Sequence, residues 1–153
     1  MTLRFRNIDT RPEQPVAEWP GEAVLSALER GSLDDWRRLV AEIGEQPWGE
    51  VARKVEQSLE VSAPYGVARV MRRAIERARN HALQRERDEV AAQVQELVQS
   101  SGLSKGEFAA RIGTSASRLS TYMTGKVIPS ATLLLRMQKV AQSSSFRGTA
   151  GQE

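Results

Sequence analysis

The sequence predicts an all-α protein built from two helical domains. No convincing alternation of apolar and polar residues with a period of two occurs, and there is no Asn-Gly or Asp-Gly hairpin turn. Apolar residues instead recur at helical spacing, between capping residues, glycines and prolines that divide the chain into segments. The 153 residues suit one medium domain or two small ones, and a hydrophobic fraction of 40% is sufficient for packed cores.

The first half of the chain is predicted to be an arm followed by a small helical domain. Residues 1–18 are expected to form a flexible N-terminal arm, because Pro12 and Pro15 oppose helix formation. Residues 19–79 are expected to form the helical domain, which would serve dimerisation or the binding of a partner or an effector. Its helices are predicted over residues 20–29, 32–43, 47–59 and 64–78.

Two tryptophans, Trp36 and Trp48, lie among the apolar positions of these helices. Aromatic side chains at helical spacing usually fill a core, so both are predicted to be core residues. The alternative is that they line a ligand pocket.

A charged linker is predicted at residues 80–89, between the two domains. Neither Gly nor Pro occurs between Val67 and Ser101, so the stretch from Pro64 to Ser101 can form one long helix. Residues 76–89 are almost wholly polar, which is typical of a solvated connecting helix but also of a frayed linker. Both alternatives remain open at this stage.

The second domain, residues 90–142, has the local signals of two short helices joined by a tight turn. Ser104 with Glu107 forms the pattern of a capping box, and Gly113 ends the first helix, Lys105–Ile112. Ser115 is the predicted N-cap of the second helix, Ala116–Met123. A final helix is predicted after Pro129, followed by a disordered tail at residues 143–153.

The second helix has a polar outer face of small side chains, as a helix entering the major groove of DNA requires. Short hydroxyl and methyl groups can contact base edges without steric conflict, and cations or helix N-termini beside them can contact phosphates. The predicted base-edge residues are Ala116, Ser117, Ser120 and Thr121. The predicted phosphate-contacting residues are Ser104, Lys105, Ser115, Arg118 and Lys126.

Charge is distributed unevenly along the chain. Residues 1–63 contain 8 basic and 12 acidic residues, whereas residues 90–141 contain 6 basic and 2 acidic ones. A basic C-terminal half fits a polyanionic partner, because Lys and Arg displace condensed counterions from phosphates. The acidic N-terminal part is expected to face solvent or a protein.

The segment from Gly102 to Ser130 resembles the Xre/Cro/lambda-repressor helix-turn-helix family. The resemblance rests on Gly102-Leu103-Ser104, Glu107-Phe108-Ala109, Arg111-Ile112-Gly113-Thr114-Ser115, Leu119-Ser120, Gly125-Lys126 and Pro129-Ser130. It implies a five-helix, lambda-repressor-like domain in which Lys105–Ile112 positions the recognition helix Ala116–Met123. It also places base contacts on Ala116, Ser117 and Thr121. Many relatives carry Arg, Gln or Asn there, so the small side chains imply modest direct readout.

Several classes of site and location are disfavoured. The chain has no Cys and one His, His81, in a highly charged stretch, so a metal centre or a catalytic triad is not expected. We predict no cofactor, no enzymatic activity and no membrane span, and we expect a cytoplasmic protein.

The predicted function is a bacterial-type transcriptional regulator that binds double-stranded DNA, most simply as a dimeric repressor. A homodimer is favoured because an isolated helix-turn-helix makes too few contacts for tight specific binding. The alternative is an antitoxin whose N-terminal domain neutralises a toxin and whose helix-turn-helix regulates its own operon.

Overall fold

The computed structural model describes residues 2–148, and this part of the chain is all-helical, as predicted. A short 3-10 helix at Val16–Glu18 precedes the α-helices. These are α1 (Gly21–Arg30), α2 (Leu33–Glu45), α3 (Glu50–Val61), α4 (Val67–Ser101), α5 (Lys105–Ile112), α6 (Ala116–Met123) and α7 (Ala131–Gly148). No helix among the described residues is both long and apolar enough to cross a membrane.

The chain divides into two compact units, Met1–Ala82 and Leu83–Glu153, and α4 contributes residues to both. Residues 80–89, the predicted linker, lie within α4 and are helical. The helix continues because the stretch holds no Gly or Pro, and Gln84 donates a hydrogen bond of 3.0 Å to Asp88 one turn away.

The first unit is a helical domain with one continuous apolar core. Helices α1, α2, α3 and the start of α4 each contribute a buried stripe at helical spacing. The most deeply buried large side chains of this core are Trp19, Val24, Leu28, Leu39, Ile43, Val55 and Met71.

The flexible arm predicted at residues 1–18 is wrong for the described residues 2–18. Leu3 and Val16 are buried in the core, and the Trp19 indole, which is fully buried, donates a hydrogen bond of 3.1 Å to the carbonyl of Gln14. Arg38 of α2 donates hydrogen bonds of 2.6 and 2.8 Å to the carbonyls of Pro12 and Gln14. The prolines do prevent helix formation, but side chains from α2 satisfy the carbonyls of the extended chain.

The prediction that Trp48 is a core residue is wrong, because its side chain is 49% exposed. Trp36 is partly buried and packs against the core, and its indole donates a hydrogen bond of 2.9 Å to the carbonyl of Ala27. Trp19 fills the central position instead, in T-shaped contact with Phe5 at a centroid distance of 5.2 Å. Pro47 does not begin α3, because residues 46–49 form a turn that the Gly49 N–H closes on the Gln46 carbonyl.

The second unit packs the last part of α4 with α5, α6 and α7. Its described part has four helical segments, one fewer than the family resemblance implies. Their shared core contains Val94, Val98, Phe108, Ala109, Ile112, Leu119, Tyr122 and Met137.

The predicted disordered tail is wrong for residues 143–148, which continue α7 as far as Gly148. Neither Gly nor Pro occurs between Ala131 and Gly148, so nothing in the sequence ends the helix earlier. Residues 149–153 of the predicted tail lie outside the described part of the chain.

Candidate nucleic-acid interface

A tight turn between α5 and α6 sets the direction of α6. Ser104 caps α5 by accepting a hydrogen bond of 3.2 Å from the Glu107 N–H. Gly113 ends the helix in a left-handed conformation with φ of 80°, which side chains rarely adopt. The Thr114 N–H then donates a hydrogen bond of 2.9 Å to the carbonyl of Ala109, a pattern that closes the helix end. The following residue, Ser115, is the N-cap of α6.

Two side chains from the facing elements hold the ends of these helices. Arg136 of α7 donates a hydrogen bond of 2.7 Å to the carbonyl of Ile112, at the end of α5. Gln95 of α4 donates one of 2.5 Å to the carbonyl of Met123, at the end of α6. Both satisfy carbonyls that a helix C-terminus leaves without a partner. The sequence analysis missed these two residues, because nothing in their local sequence indicates a partner so far along the chain.

Helix α6 buries one face and presents the other. Leu119 is fully buried and Tyr122 is 5% exposed, so both anchor the helix in the core of the second unit. Two of the four predicted base-edge residues, Ala116 and Ser117, are exposed, while Ser120 and Thr121 are half-buried. The structure therefore brings the predicted base-edge set together along one short helix.

Two of the three hydroxyl groups among the predicted base-edge residues already donate their hydrogens to the helix backbone. Ser120 Oγ donates to the Ala116 carbonyl at 3.1 Å, and Thr121 Oγ1 donates to the Arg118 carbonyl at 2.6 Å. Each oxygen still has a lone pair that can accept a hydrogen bond, and Thr121 also carries a methyl group. A lone pair accepts from an amino group such as adenine N6 or cytosine N4, and a methyl group packs against the thymine methyl.

Arg118 is oriented by its own helix. Its Nε donates a hydrogen bond of 3.0 Å to Tyr122 Oη, one turn further along α6. This bond raises the pKa of Arg118 above its ordinary value, because the phenol oxygen accepts from the charged form. The remaining guanidinium N–H groups are available for a phosphate, which Arg can bind in a bidentate manner. Ser115 Oγ caps the same helix by accepting from the Arg118 N–H at 3.2 Å.

The two predicted phosphate-contacting lysines flank α5 and α6. Lys105 is the first residue of α5, and Lys126 follows the left-handed Gly125 after α6. Both are exposed, and neither forms an ion pair within the described residues. The loop that carries Lys126 is fixed where the Val127 N–H donates to the Thr121 carbonyl at 3.1 Å.

Residues 89–143 match a family model described as a helix-turn-helix domain. This segment is a helix-turn-helix domain. The matched range coincides closely with the predicted domain at residues 90–142 and covers the buried α6 anchors as well as its outer face. The assignment to the Xre class within such domains stays a prediction. Comparison with curated proteins and with solved structures gave no match.

The helix-turn-helix domain contains the whole candidate interface. All nine predicted contact residues lie between Ser104 and Lys126, on α5, α6 and the loops beside them. Within the described range, the chain contains no group of three or more His, Asp or Glu residues that could hold a metal ion.

Proposed function

We propose that this protein is a transcriptional regulator of bacterial type that binds duplex DNA through α6. The observation that supports this most directly is the arrangement of α6. Its apolar residues anchor a short capped helix, and its small polar side chains point away from the core. A helix of this kind can enter the major groove with its N-terminal end towards the bases.

In the proposed complex, base edges contact Ala116, Ser117, Ser120 and Thr121. Because the Ser120 and Thr121 hydroxyl hydrogens are engaged by the helix, these residues read amino groups and methyl groups. The phosphates contact Arg118, Lys105 and Lys126, together with Ser104 and Ser115 at the N-termini of α5 and α6. With so few base-edge donors, DNA shape contributes to the choice of site.

A selection of bound duplexes from a random pool tests this proposal. Thr121→Ala should change the selected sequence, because it removes an acceptor and a methyl group from the base-contacting face. Ser143→Ala is the matched control, since the Ser143 hydroxyl also donates to a carbonyl three residues earlier but lies on α7. Failure to enrich any sequence, or the same sequence from wild type and Thr121→Ala, contradicts the assignment.

Arg118→Gln tests the phosphate contacts separately. It should weaken binding to all sequences and reduce the slope of log affinity against log salt by about one unit. Lys139→Gln makes the same change of charge on α7 and should leave the slope nearly unchanged. Equal effects of the two variants would show that net charge, and not this position, governs binding.

We propose that the protein acts as a homodimeric repressor, working in the cytoplasm, on two half-sites about one helical turn apart. Exposed apolar side chains on the second unit support self-association, namely Val127, Ile128 and Leu135. Sedimentation of the full chain alone and with its selected duplex measures the stoichiometry. One chain per duplex would contradict the dimer.

The acidic excess of residues 1–63 supports a second candidate, an antitoxin that neutralises a basic partner. Co-expression with a toxin-like neighbouring reading frame, followed by purification, distinguishes the two. A stable complex favours the antitoxin, and purification of this chain alone favours the repressor.

A further inference from the structure

The first unit carries a row of arginines on the outer face of α4. Arg69, Arg73 and Arg77 are exposed and follow one another at four-residue spacing, and we call them the arginine stripe. On the other side of the same helix turns, Met71 and Ile75 are buried in the core of the first unit. The stripe therefore lies on a part of α4 whose opposite face is packed in the core.

The arginine stripe has no acidic partner within the described residues. Other cations of the first unit do pair, as Arg79 with Glu56 and Lys54 with Glu50 at 3.7 Å. Between Val67 and Ala82 the chain has five arginines and a single acidic residue, Glu76. The first 63 residues have an acidic excess, so α4 is the part of this unit that carries a net positive charge. Such unneutralised charge is attractive to a polyanion.

The arginine stripe is a linear array of positive charges, as a row of DNA phosphates is a linear array of negative ones. Four residues of helix rise about 6 Å, so the three guanidinium groups extend over about 12 Å of helix axis. Duplex DNA presents a charge about every 1.7 Å of its axis, and a guanidinium binds phosphate in bidentate fashion. A protein interface, in contrast, needs an apolar centre. Among residues 67–82 of α4, Val70 is the only exposed large apolar side chain.

We propose that the arginine stripe is a second DNA-binding surface, which contacts duplex phosphates independently of sequence. This proposal rests on the proposed function of the helix-turn-helix domain, but the residues that it concerns belong to the first unit. Contacts of this type add affinity and salt dependence without adding sequence preference.

Salt titration of the full chain on a random-sequence duplex tests the stripe. The variant combines Arg69→Gln, Arg73→Gln and Arg77→Gln. If each arginine neutralises one phosphate, the slope of log affinity against log salt falls by about 2.7 units. Raising the salt from about 50 to about 200 mM then weakens the binding of the variant about 40-fold less than it weakens the binding of the wild type.

The matched control combines Arg4→Gln, Arg6→Gln and Arg11→Gln. These exposed arginines belong to the same unit, and their replacement changes the net charge equally. The proposal requires the stripe variant to reduce the slope by at least two units more than the control. Equal slopes for the two variants, or a stripe variant that changes only self-association, would overturn it. Circular dichroism of both variants checks that the fold is retained.

Repeating the titration with Arg118→Gln separates the two DNA-binding surfaces. If Arg118→Gln reduces the slope and the stripe variant does not, the helix-turn-helix proposal stands and the stripe proposal fails. If Arg118→Gln has no effect and the stripe variant does, the stripe binds DNA and the role given to α6 fails.

Discussion

Replacing Tyr122 by Phe should weaken DNA binding without unfolding the second unit. The ring of Tyr122 is buried in the core, and Phe keeps that packing. The hydroxyl, however, accepts the 3.0 Å hydrogen bond that orients Arg118. Without it the guanidinium must be ordered when DNA binds. Ordering one long side chain reduces affinity by about two- to twelvefold, which is the expected effect on a selected duplex.

A double-mutant cycle with Arg118→Gln shows whether the effect passes through Arg118. Tyr122→Phe should weaken binding of the wild-type chain but have little effect when residue 118 is already Gln. Fluorescence anisotropy of a labelled duplex measures the four affinities, and urea denaturation checks that the Tyr122→Phe chain is folded. The same loss in both backgrounds would refute the positioning role, and so would no loss in either.

Three further predictions concern stability and pH. Gly113→Ala should destabilise the second unit by about 1–2 kcal/mol, because φ of 80° disfavours a side chain, whereas Gly106→Ala, with open space around it, should not destabilise it. Urea unfolding of both chains measures this, and equal midpoints would contradict it. Trp19→Ala should cost about 3–5 kcal/mol and Trp48→Ala much less, since Trp19 is fully buried and Trp48 is 49% exposed; comparable losses in thermal unfolding would show that the core is placed wrongly. The raised pKa of Arg118 means that its charge is present below that pKa and is lost only at more alkaline pH. The affinity ratio of wild type to Arg118→Gln should therefore be the same at about pH 6 and pH 9, and a ratio that falls at pH 9 would be inconsistent with it.

The helix-turn-helix domain could be predicted from sequence because its signals are local. Caps and turn glycines act within three or four residues of one another, so Ser104, Gly113 and Ser115 fix the ends of α5 and the start of α6 without reference to the rest of the fold. The predicted bounds of both helices agree with the structure for this reason.

The first unit was harder to predict because its decisive contacts are distant in sequence. Trp19 lies between Pro15 and Pro20 in a segment without periodicity, and its burial depends on helices that follow it. Arg38 satisfies carbonyls 24 and 26 residues earlier in the chain. Pattern analysis of a short window detects neither contact.

The candidate interface, too, could be predicted only in part from sequence. The outer face of α6 follows from helical periodicity, whereas the direction of each hydroxyl hydrogen does not. Ser120 and Thr121 are ambiguous in sequence, since a hydroxyl can donate or accept. Only the backbone carbonyls within reach show that both donate inward.

Residues 2–19 could be used to follow the stability of the first unit. This segment has no helix of its own apart from the 3-10 turn, so its protection from proteases and from amide exchange comes from the burial of Leu3, Val16 and Trp19 and from the hydrogen bonds that Arg38 donates to it. Opening that releases Trp19 exposes the centre of this core, so we expect cleavage beside Trp19 to track global unfolding of the first unit. A protease site there would report the stability of a domain that lies almost entirely after it in the chain.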